Sequence, residues 1–282
     1  GGRNIVALTG AGISTESGIP DYRSPKGSYS VGHKPMQHDE LIGSLANRQR
    51  YWARSFQGWV AFRGAEANEG HLAVARLEEM GVLGGIVTQN VDALHQRGGA
   101  RQVVDLHGRN DRVRCLACSH ESDRSERERQ AGRERERERE RESEGGGVAA
   151  GALRADGDAE IGDWATSGIV VPGCSVGTCG GVLKPDVVFF GDVVPDARKQ
   201  RAAAMVTGAS GLLVLGSSLS VLSSFRLAEA AAEAGIPIAI VSIGATRADR
   251  AGIKHLKIEE RCGPVLSRLS LLLQNLPNVN TT

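Results

Sequence analysis

The stretch from Thr9 to Ser24, which reads T-G-A-G-I-S-T-E-S-G-I-P-D-Y-R-S, constrains the fold of this chain more than any other segment. An apolar run at residues 5–8 precedes it and is typical of a buried parallel strand. Gly10 and Gly12 would let the backbone of the turn that follows come close to a pyrophosphate. The pattern therefore predicts a nucleotide site at the opening of a Rossmann-type unit.

The glycine pattern departs from the dinucleotide fingerprint G-x-G-x-x-G. Thr15 stands at the third glycine position, and Gly18 comes too late to replace it. A tight strand-to-helix turn without a ligand is the alternative interpretation of the two glycines. Motifs elsewhere in the chain are needed to choose between a nucleotide site and a turn without a ligand.

Composition limits the classes of partner. The chain has 282 residues and a formal net charge of +1, so it can bury one large core, or one large and one small core, and gives no general nucleic-acid signal. No apolar run approaches the roughly 20 residues that cross a bilayer. We therefore expect a soluble protein that binds neither nucleic acid nor membrane. A targeting segment ahead of Gly1 would not be visible.

Predicted strands alternate with predicted helices along most of the chain. This alternation favours an α/β fold, a Rossmann-like parallel sheet with helices on both faces. The strands are predicted at Ile5–Thr9, Gly85–Gln89, Val103–Leu106, Gly211–Gly216 and Pro237–Ile243, and helices at His71–Met80, Phe225–Ala234 and Val265–Leu273.

Four of the five cysteines form two close pairs, Cys115/Cys118 and Cys174/Cys179. In a nucleotide-dependent protein this suits one zinc ion better than disulfides, and a closed set of four ligands is structural. The gap of four residues in the second pair is wider than usual. Four unrelated buried cysteines are the alternative. The sequence between the pairs has too few apolar residues for a sizeable core, however, and a small lobe of this kind is usually stabilised by a metal ion or disulfides.

The sequence between the cysteine pairs is of low complexity, with a strict Arg-Glu alternation at 133–142. Alternation places like charges at i,i+4, which weakens a helix, so a mobile insertion at 121–147 is favoured over a solvated helix. The predicted division is a discontinuous Rossmann-like domain, residues 1–110 and 182–282, with a small zinc-binding module at 111–181.

Polar side chains follow two predicted strands at their carboxyl ends, where open α/β sheets bind ligands. Gln89, Asn90 and Asp92 form a cluster after one strand, and a helix-capping turn would explain only Asp92. His95 is interpreted as a helix-face residue. His107 follows another strand, and its near-neutral pKa suits a general base, with a structural histidine as the alternative.

Two more segments have either a structural or a binding interpretation. The apolar edge at 187–190, within K-P-D-V-V-F-F-G, would accept a peptide by strand addition. The turn at 216–218, within G-S-S-L, would donate backbone N–H groups to phosphate.

Taken together, these segments resemble the sirtuin family of NAD-dependent protein deacylases. The shared motifs are G-A-G-I-S, G-I-P-D-Y-R-S, T-Q-N-V-D, L-H-G, the cysteine pairs, K-P-D-V-V-F-F-G and G-S-S-L, and they span nearly the whole chain except the Arg-Glu insertion. Q-R-Y-W-A-R at 49–54 and R-C-G at 261–263 are similar to the class II group. The resemblance implies the sirtuin (DHS-like) NAD-binding fold, NAD as co-substrate, one structural Zn²⁺ and acylated-lysine protein substrates.

The resemblance also implies a role for individual residues. It makes His107, Asn90 and Asp92 catalytic. It places the acyl chain or peptide near Tyr51, Arg54, Val187, Val188, Phe189 and Gly191. It assigns NAD contacts to Gly10, Ala11, Gly12, Ile13, Asp21, Tyr22, Arg23, Gln89, Asn90, Val91, Asp92, Gly216, Ser217, Ser218, Ser242, Ile243, Gly244 and Cys262, with residues 21–23 on a loop that closes over the cofactor. Ser242 replaces the usual asparagine near the adenosine ribose, which implies weaker NAD binding.

The implied reaction cleaves NAD and does not transfer hydride. The acyl oxygen attacks the ribose carbon as nicotinamide leaves, and His107 then takes a proton from a ribose hydroxyl. Free lysine, nicotinamide and O-acyl-ADP-ribose are the products. Two alternatives stay open: mono-ADP-ribosyl transfer to protein, and an NAD-binding interaction module without catalytic power.

Acyl choice and location rest on the resemblance as well. Tyr51 and Arg54 share one helix face and would bind an acidic acyl group, so glutaryl-type chains are expected to outperform acetyl. An exposed arginine beside a buried tyrosine is the alternative. The resemblance implies the mitochondrial matrix, with the cytoplasm as alternative. No oligomeric state is predicted, and a monomer is compatible with the sequence.

Overall fold

The computed structural model describes residues 4–126, 154–157 and 169–275, and their contacts divide into two units. The first unit takes the described residues within Gly1–Asp21, Ala65–His107 and Val194–Thr282. The second takes those within Tyr22–Gly64 and Gly108–Val193.

The first unit is built on a six-stranded parallel sheet with the order β3-β2-β1-β7-β8-β9. This matches the 3-2-1-4-5-6 order of dinucleotide-binding folds, so the predicted Rossmann-like parallel sheet is confirmed. The strands are β1 (Ile5–Thr9), β2 (Leu83–Thr88), β3 (Val103–Asp105), β7 (Gly211–Leu215), β8 (Ile238–Val241) and β9 (Leu256–Ile258).

Helices surround this sheet. They are α3 (Glu69–Glu79), α4 (Leu94–Arg97), α5 (Asp196–Thr207), α6 (Leu222–Glu233), α7 (Arg247–Arg250) and α8 (Cys262–Gln274), with short 3₁₀ turns at Ala11–Ile13 and Thr15–Ser17. The N-cap of α3 is Asn68, whose side-chain oxygen accepts hydrogen bonds from the N–H groups of Gly70 and His71. Asparagine is a preferred N-cap residue because its side chain can make such bonds. None of the helices in the described ranges is long and apolar enough to cross a membrane.

Both faces of the sheet are covered. Ala7 and Ile86 lie on one face, in a core cluster with Leu77 of α3 and Leu266 of α8. Residues of opposite parity, such as Val6 and Leu8, are also fully buried. On their face, a Cβ at Gly85 would lie 2.9 Å from the sulfur of Met205, which shows that α5 packs there. This is why β1 and β2 read as continuous apolar runs.

The second unit contains a three-stranded antiparallel sheet with the order β5-β4-β6. Its elements are α1 (His38–Gly43), α2 (Leu45–Gly64), β4 (Gly108–Cys115), β5 (Glu121–Asp123) and β6 (Leu183–Val187). Trp52 of α2 is buried in a cluster with Val113 and Leu183 from the sheet. Arg124 is fully buried as well, and donates to the carbonyl and hydroxyl oxygens of Ser55.

These units differ from the division expected from sequence. Residues 22–64, 108–110 and 182–193 group with the described residues of the module predicted at 111–181, because α2 supplies the aromatic side chains that cover the small sheet. Residues 121–123, at the start of the predicted insertion, form β5 and pair with β4. The Arg-Glu alternation at 133–142 lies outside the described residues.

Candidate active site and cysteine cluster

The ends of β1 and β7 contact each other where the strand order reverses, which is where open α/β sheets bind ligands. The N–H of Gly10 donates to the carbonyl of Leu215 at 3.0 Å, and that of Gly12 to Gly216 at 2.9 Å. A Cβ on Gly12 would lie 2.9 Å from the Cα of Gly216, and one on Gly216 2.5 Å from the nitrogen of Ile13. Close backbone contact therefore requires glycine in both turns.

The two turns also present backbone donors. Within residues 4–126, 154–157 and 169–275, the N–H groups of Ala11, Ser217 and Ser218 have no intramolecular acceptor. Successive N–H groups in such turns form anion-binding concavities. The turns therefore fit the pyrophosphate of NAD.

Gln89 and Asn90 connect the two turns. The Gln89 side-chain amide donates to Oγ of Ser217 at 2.8 Å. The Asn90 side-chain amide donates to the carbonyl of Gly10 at 3.2 Å and to Oγ of Ser14 at 3.0 Å. Both side chains are thus fixed at the carboxyl edge of the sheet, as predicted for this polar cluster.

Asp92 ends a chain of buried hydrogen bonds. The Ser14 hydroxyl donates to Oδ2 of Asp92 at 2.7 Å and lies 3.3 Å from Nε2 of His71, whose Nδ1 accepts from the N–H of Asn68. Burial lowers the pKa of His71 to about 4, so the ring is neutral and donates through Nε2 to Ser14. Burial raises the pKa of Asp92, although hydrogen bonds from the Leu94 N–H and Ser14 act to lower it. A buried carboxyl is thereby held at both oxygens.

His107 is held at both ring nitrogens. Its Nδ1 lies 3.1 Å from the carbonyl oxygen of Gln89, and its Nε2 lies 2.7 Å from Oγ of Ser223. A carbonyl only accepts, so Nδ1 carries the proton and Nε2 keeps its lone pair. Burial lowers the pKa of His107 to about 4, the Gln89 bond raises it, and Arg198 lowers it. At neutral pH the ring is uncharged and Nε2 keeps a lone pair that can accept a proton, which a general base requires.

The remaining predicted NAD contacts in this unit follow β8 or begin α8. The N–H of Ser242 donates to the carbonyl of Ile258 at 3.1 Å, Ile243 is exposed, and Gly244 has a φ of +75°. Cys262 is buried, and burial raises the pKa of its thiol to about 12.

The predicted residues separate between the two units. The first unit holds Gly10, Ala11, Gly12, Ile13, Asp21, Gln89, Asn90, Val91, Asp92, His107, Gly216, Ser217, Ser218, Ser242, Ile243, Gly244 and Cys262. The second holds Tyr22, Arg23, Tyr51, Arg54, the four paired cysteines, Val187, Val188, Phe189 and Gly191.

The predicted closing loop continues into an aromatic group of the second unit. The ring of Tyr22 lies 5.2 Å from that of Tyr29, and the guanidinium of Arg23 lies 5.3 Å above the Tyr29 ring. Burial raises the pKa of Tyr29, and the Arg23 charge opposes this. The Tyr29 ring therefore anchors both loop residues.

Tyr51 and Arg54 lie one helical turn apart on α2. The ring of Tyr51 is 5.3 Å from that of Phe189. An Arg54 guanidinium nitrogen lies 3.4 Å from Nδ1 of His33, and Nε2 of His33 lies 2.9 Å from Oδ2 of Asp156. The guanidinium therefore faces a histidine that is itself paired with a carboxylate.

The predicted peptide edge follows β6, which is an edge strand of the described sheet. Val187 pairs with Gly108 of β4, and the carbonyl of Phe190 accepts from the N–H of His38 at 3.0 Å. Gly191 then adopts a φ of +81°, which turns the chain away from the strand direction. Strand addition stays a prediction for the residues between these two pairings.

The four paired cysteines form one cluster. The sulfurs of Cys115, Cys118, Cys174 and Cys179 all lie within 4.8 Å of one another. Cys115 and Cys179 are 3.7 Å apart, and Cys118 and Cys174 are 3.6 Å apart. Zinc–sulfur bonds of about 2.3 Å in a tetrahedron place sulfurs about 3.8 Å apart, so the cluster fits one structural zinc ion. The four-residue gap between Cys174 and Cys179 is therefore compatible with this tetrahedral geometry.

Several residues of these networks escaped prediction. Ser14 lies inside the Thr9–Ser24 stretch, so its motif offered a signal. No local sequence pattern marks His71 or Ser223, because each contacts its partner only in the folded chain. His95 was predicted as a helix-face residue, and it lies in α4, buried, with Nε2 2.9 Å from the hydroxyl of Thr9.

Comparison with known proteins places this architecture in a family. The model of the Sir2 family matches residues 10–223. An NAD-dependent protein deacetylase of Xanthomonas axonopodis pv. citri is 46% identical over 268 residues, covering 95% of this chain and 87% of the relative. The NAD-dependent protein deacylase Sirt4 of Drosophila melanogaster is 44% identical over 268 residues, covering 94% of this chain and 82% of the relative.

Solved structures agree with these sequence matches. A Sir2 homologue in complex with ADP-ribose superposes with a TM-score of 0.75 at 25% identity, covering 100% of this chain and 96% of the other. A Sir2 protein with a p53 peptide and NAD⁺ gives 0.72 at 28% identity, covering 97% and 94%. The chain belongs to the Sir2 (sirtuin) family.

Proposed function

We propose that this chain is an NAD-dependent protein lysine deacylase, which releases nicotinamide from NAD and transfers the acyl group of an acyl-lysine to ADP-ribose. The observation that carries this proposal is the state of His107. Its Nδ1 proton is donated to the carbonyl of Gln89, and its Nε2 keeps a lone pair and lies 2.7 Å from Oγ of Ser223. Relatives of this chain are named deacetylases or deacylases, and a Sir2 structure holds both NAD⁺ and a peptide.

The first unit supplies a site for NAD in this proposal. The glycine turns would hold the pyrophosphate on the N–H groups of Ala11, Ser217 and Ser218. Asn90 and Asp92 would border the nicotinamide, and the hydrogen bonds through Ser14 fix both side chains before the substrate binds. Such preorganisation spares the site a reorganisation during the reaction.

His107 carries out the proton transfer. When bound, NAD would supply the ribose carbon that the acyl oxygen attacks as nicotinamide leaves. Nε2 of His107 would then accept the proton of a ribose hydroxyl, whose oxygen bonds to the acyl carbon, and the lysine nitrogen would take up this proton and depart as the amine. One water molecule would add to the acyl carbon, and the bond between that carbon and the oxygen on the attacked ribose carbon would break, which gives O-acyl-ADP-ribose. A neutral imidazole is required for this step, and the low pKa of His107 keeps the ring neutral at pH 7.

The cysteine cluster has a structural role in this account. Cys115 is buried against Trp52 and Leu183 in the core of the second unit. A zinc ion bound by four thiolates has no open position for substrate, so it supplies folding energy and no chemical step.

Arg54 is proposed to select acidic acyl chains. With Arg54→Ala, we expect the ratio of deglutarylation to deacetylation to fall about tenfold, because a lost charge-assisted hydrogen bond costs about 1.5–3 kcal/mol. The measurement compares kcat/KM on one peptide sequence carrying either acyl group.

Arg63→Ala is the matched control, since it removes an exposed arginine from the last turn of the same helix, on the opposite side from Arg54. The control should leave the ratio unchanged. An unchanged ratio in Arg54→Ala as well would reject the role of Arg54 in acyl choice.

One assay separates deacylation from the alternatives. The protein is incubated with NAD and an acyl-lysine peptide, and nicotinamide, peptide and protein masses are followed together. Nicotinamide with free-lysine peptide supports the deacylase. Nicotinamide with a protein mass increased by ADP-ribose supports mono-ADP-ribosyl transfer instead, and the absence of both products supports a binding module.

The cellular location of the protein is the last part of the proposal. The relatives include bacterial deacetylases as well as the fly deacylase Sirt4. A mitochondrial matrix location therefore stays a prediction, tested by imaging the tagged full-length protein with a matrix marker.

A further inference from the structure

Ser223 contacts the proposed base from a distant part of the sequence. Its Oγ lies 2.7 Å from Nε2 of His107, although 116 residues separate the two. Ser223 is the second residue of α6, a helix that follows the glycine turn at the end of β7. Backbone geometry at the start of α6 therefore sets the position of this hydroxyl.

The direction of this hydrogen bond follows from the other side of the ring. Nδ1 of His107 faces the carbonyl of Gln89 and must donate to it. The neutral ring then has only a lone pair at Nε2, so the Ser223 hydroxyl donates and Nε2 accepts. The adjacent hydroxyl of Ser224 donates to the carbonyl of Val221 instead and does not take part.

We propose that Ser223 is a positioning residue for proton transfer, which holds the His107 ring with Nε2 unprotonated and fixed in direction until a ribose hydroxyl replaces the serine. This inference rests on the proposed function and names a residue outside the predicted site. Two opposed hydrogen bonds, one at each nitrogen, fix the rotation of the ring and its tautomer together. Preorganisation of this kind is what an efficient general base requires.

The arrangement has a consequence for titration. A donor at Nε2 stabilises the neutral ring and must be lost when that nitrogen is protonated, so it favours the neutral form. Among the described residues, the charge that lowers the pKa of His107 is that of Arg198 in α5, which acts in the same direction. Removing the serine hydroxyl should therefore raise the pKa of His107, while Arg198 and the surrounding burial stay as they are.

The direct test is an NMR titration of the full chain, labelled with ¹⁵N-histidine, in the absence of NAD and peptide. In the wild type the His107 ring should be neutral with its proton on Nδ1. Ser223→Ala should raise the pKa of His107 by about 1, the size expected for one lost hydrogen bond. Ser223→Thr keeps the hydroxyl and should restore the wild-type value.

Ser224→Ala is the control, because it removes a hydroxyl from the same helical turn without contact to His107. It should leave the His107 titration unchanged. Equal titrations of His107 in the wild type, Ser223→Ala and Ser224→Ala would overturn the proposal. If Ser223→Ala shows no cooperative thermal transition, Ser223→Cys is titrated instead. Its S–H group is a weaker donor, so the pKa of His107 should lie between the wild-type value and the value expected without a donor.

The pH profile gives a second readout that a purely structural role would not move. The base works above its pKa, so the acid limb of kcat/KM should move to higher pH in Ser223→Ala by the same amount as the NMR titration, with the plateau reduced less than tenfold. A plateau lost at every pH with an unmoved limb would contradict positioning. Because the NMR titration needs no turnover, its outcome is independent of whether the chain is a deacylase.

Discussion

Replacing His107 with tyrosine is expected to lower kcat/KM for deacylation by about 10³-fold, within the range that general-base catalysis contributes. The phenol of tyrosine is protonated at neutral pH, with a pKa of about 10, so it cannot accept the ribose proton. In the present structure the ring of His107 is neutral and accepts at Nε2, and that is the function the substitution removes. Steady-state assays on one acyl-lysine peptide measure the loss.

His107→Asn is the companion variant, because its smaller side chain fits the half-buried position without overpacking. Exchange of labelled nicotinamide into NAD serves as the internal control, since that step precedes the proton transfer assigned to His107. We expect exchange to survive better than deacylation in both variants. Retention of full deacylation in either folded variant would reject His107 as the base.

Loss of one ligand from the cysteine cluster is expected to have the largest effect on stability. With Cys118→Ser, we expect bound zinc to fall from about one ion per chain to near zero. Structural zinc contributes roughly 10–16 kcal/mol in small modules, so losing even a third of that would lower the Tm by about 10 °C or more. Elemental analysis and thermal unfolding of the same preparation measure both effects.

Cys262→Ala is the matched control, since Cys262 is also a cysteine and lies buried at the start of α8, outside the cluster. It should keep its zinc, with a smaller change in Tm. If Cys118→Ser retained one zinc per chain at the wild-type Tm, the four-cysteine site would be wrong.

Local sequence was sufficient to predict the features that rest on short segments. The strand at 5–9 and the turn that follows it were predicted because apolar runs and closely spaced glycines report directly on burial and backbone contact. The cysteine pairs were predicted for a similar reason, since metal-ligand spacing is a local property. Gln89 and Asn90 were placed at the sheet edge because they follow a strand whose end is marked by its own apolar run.

Contacts between segments that are distant in the sequence could not be predicted from local sequence. Ser223 contacts His107 only because the turn after β7 brings the start of α6 to the edge of the folded sheet, and nothing around residue 223 indicates a histidine partner. The grouping of 22–64 with 108–193 depends on Trp52 packing against β4 and β6, which no local pattern shows. The His71–Ser14 bond is of the same kind, since each residue reads alone as an ordinary helix or turn residue.

The stoichiometry of the products tests the central claim most directly. The wild-type chain is incubated with NAD and an acyl-lysine peptide, and nicotinamide, free-lysine peptide and O-acyl-ADP-ribose are quantified by mass spectrometry in one time course. The account predicts equal amounts of the three products at every time point. Deacylated peptide formed without nicotinamide, or nicotinamide formed without O-acyl-ADP-ribose, would contradict it.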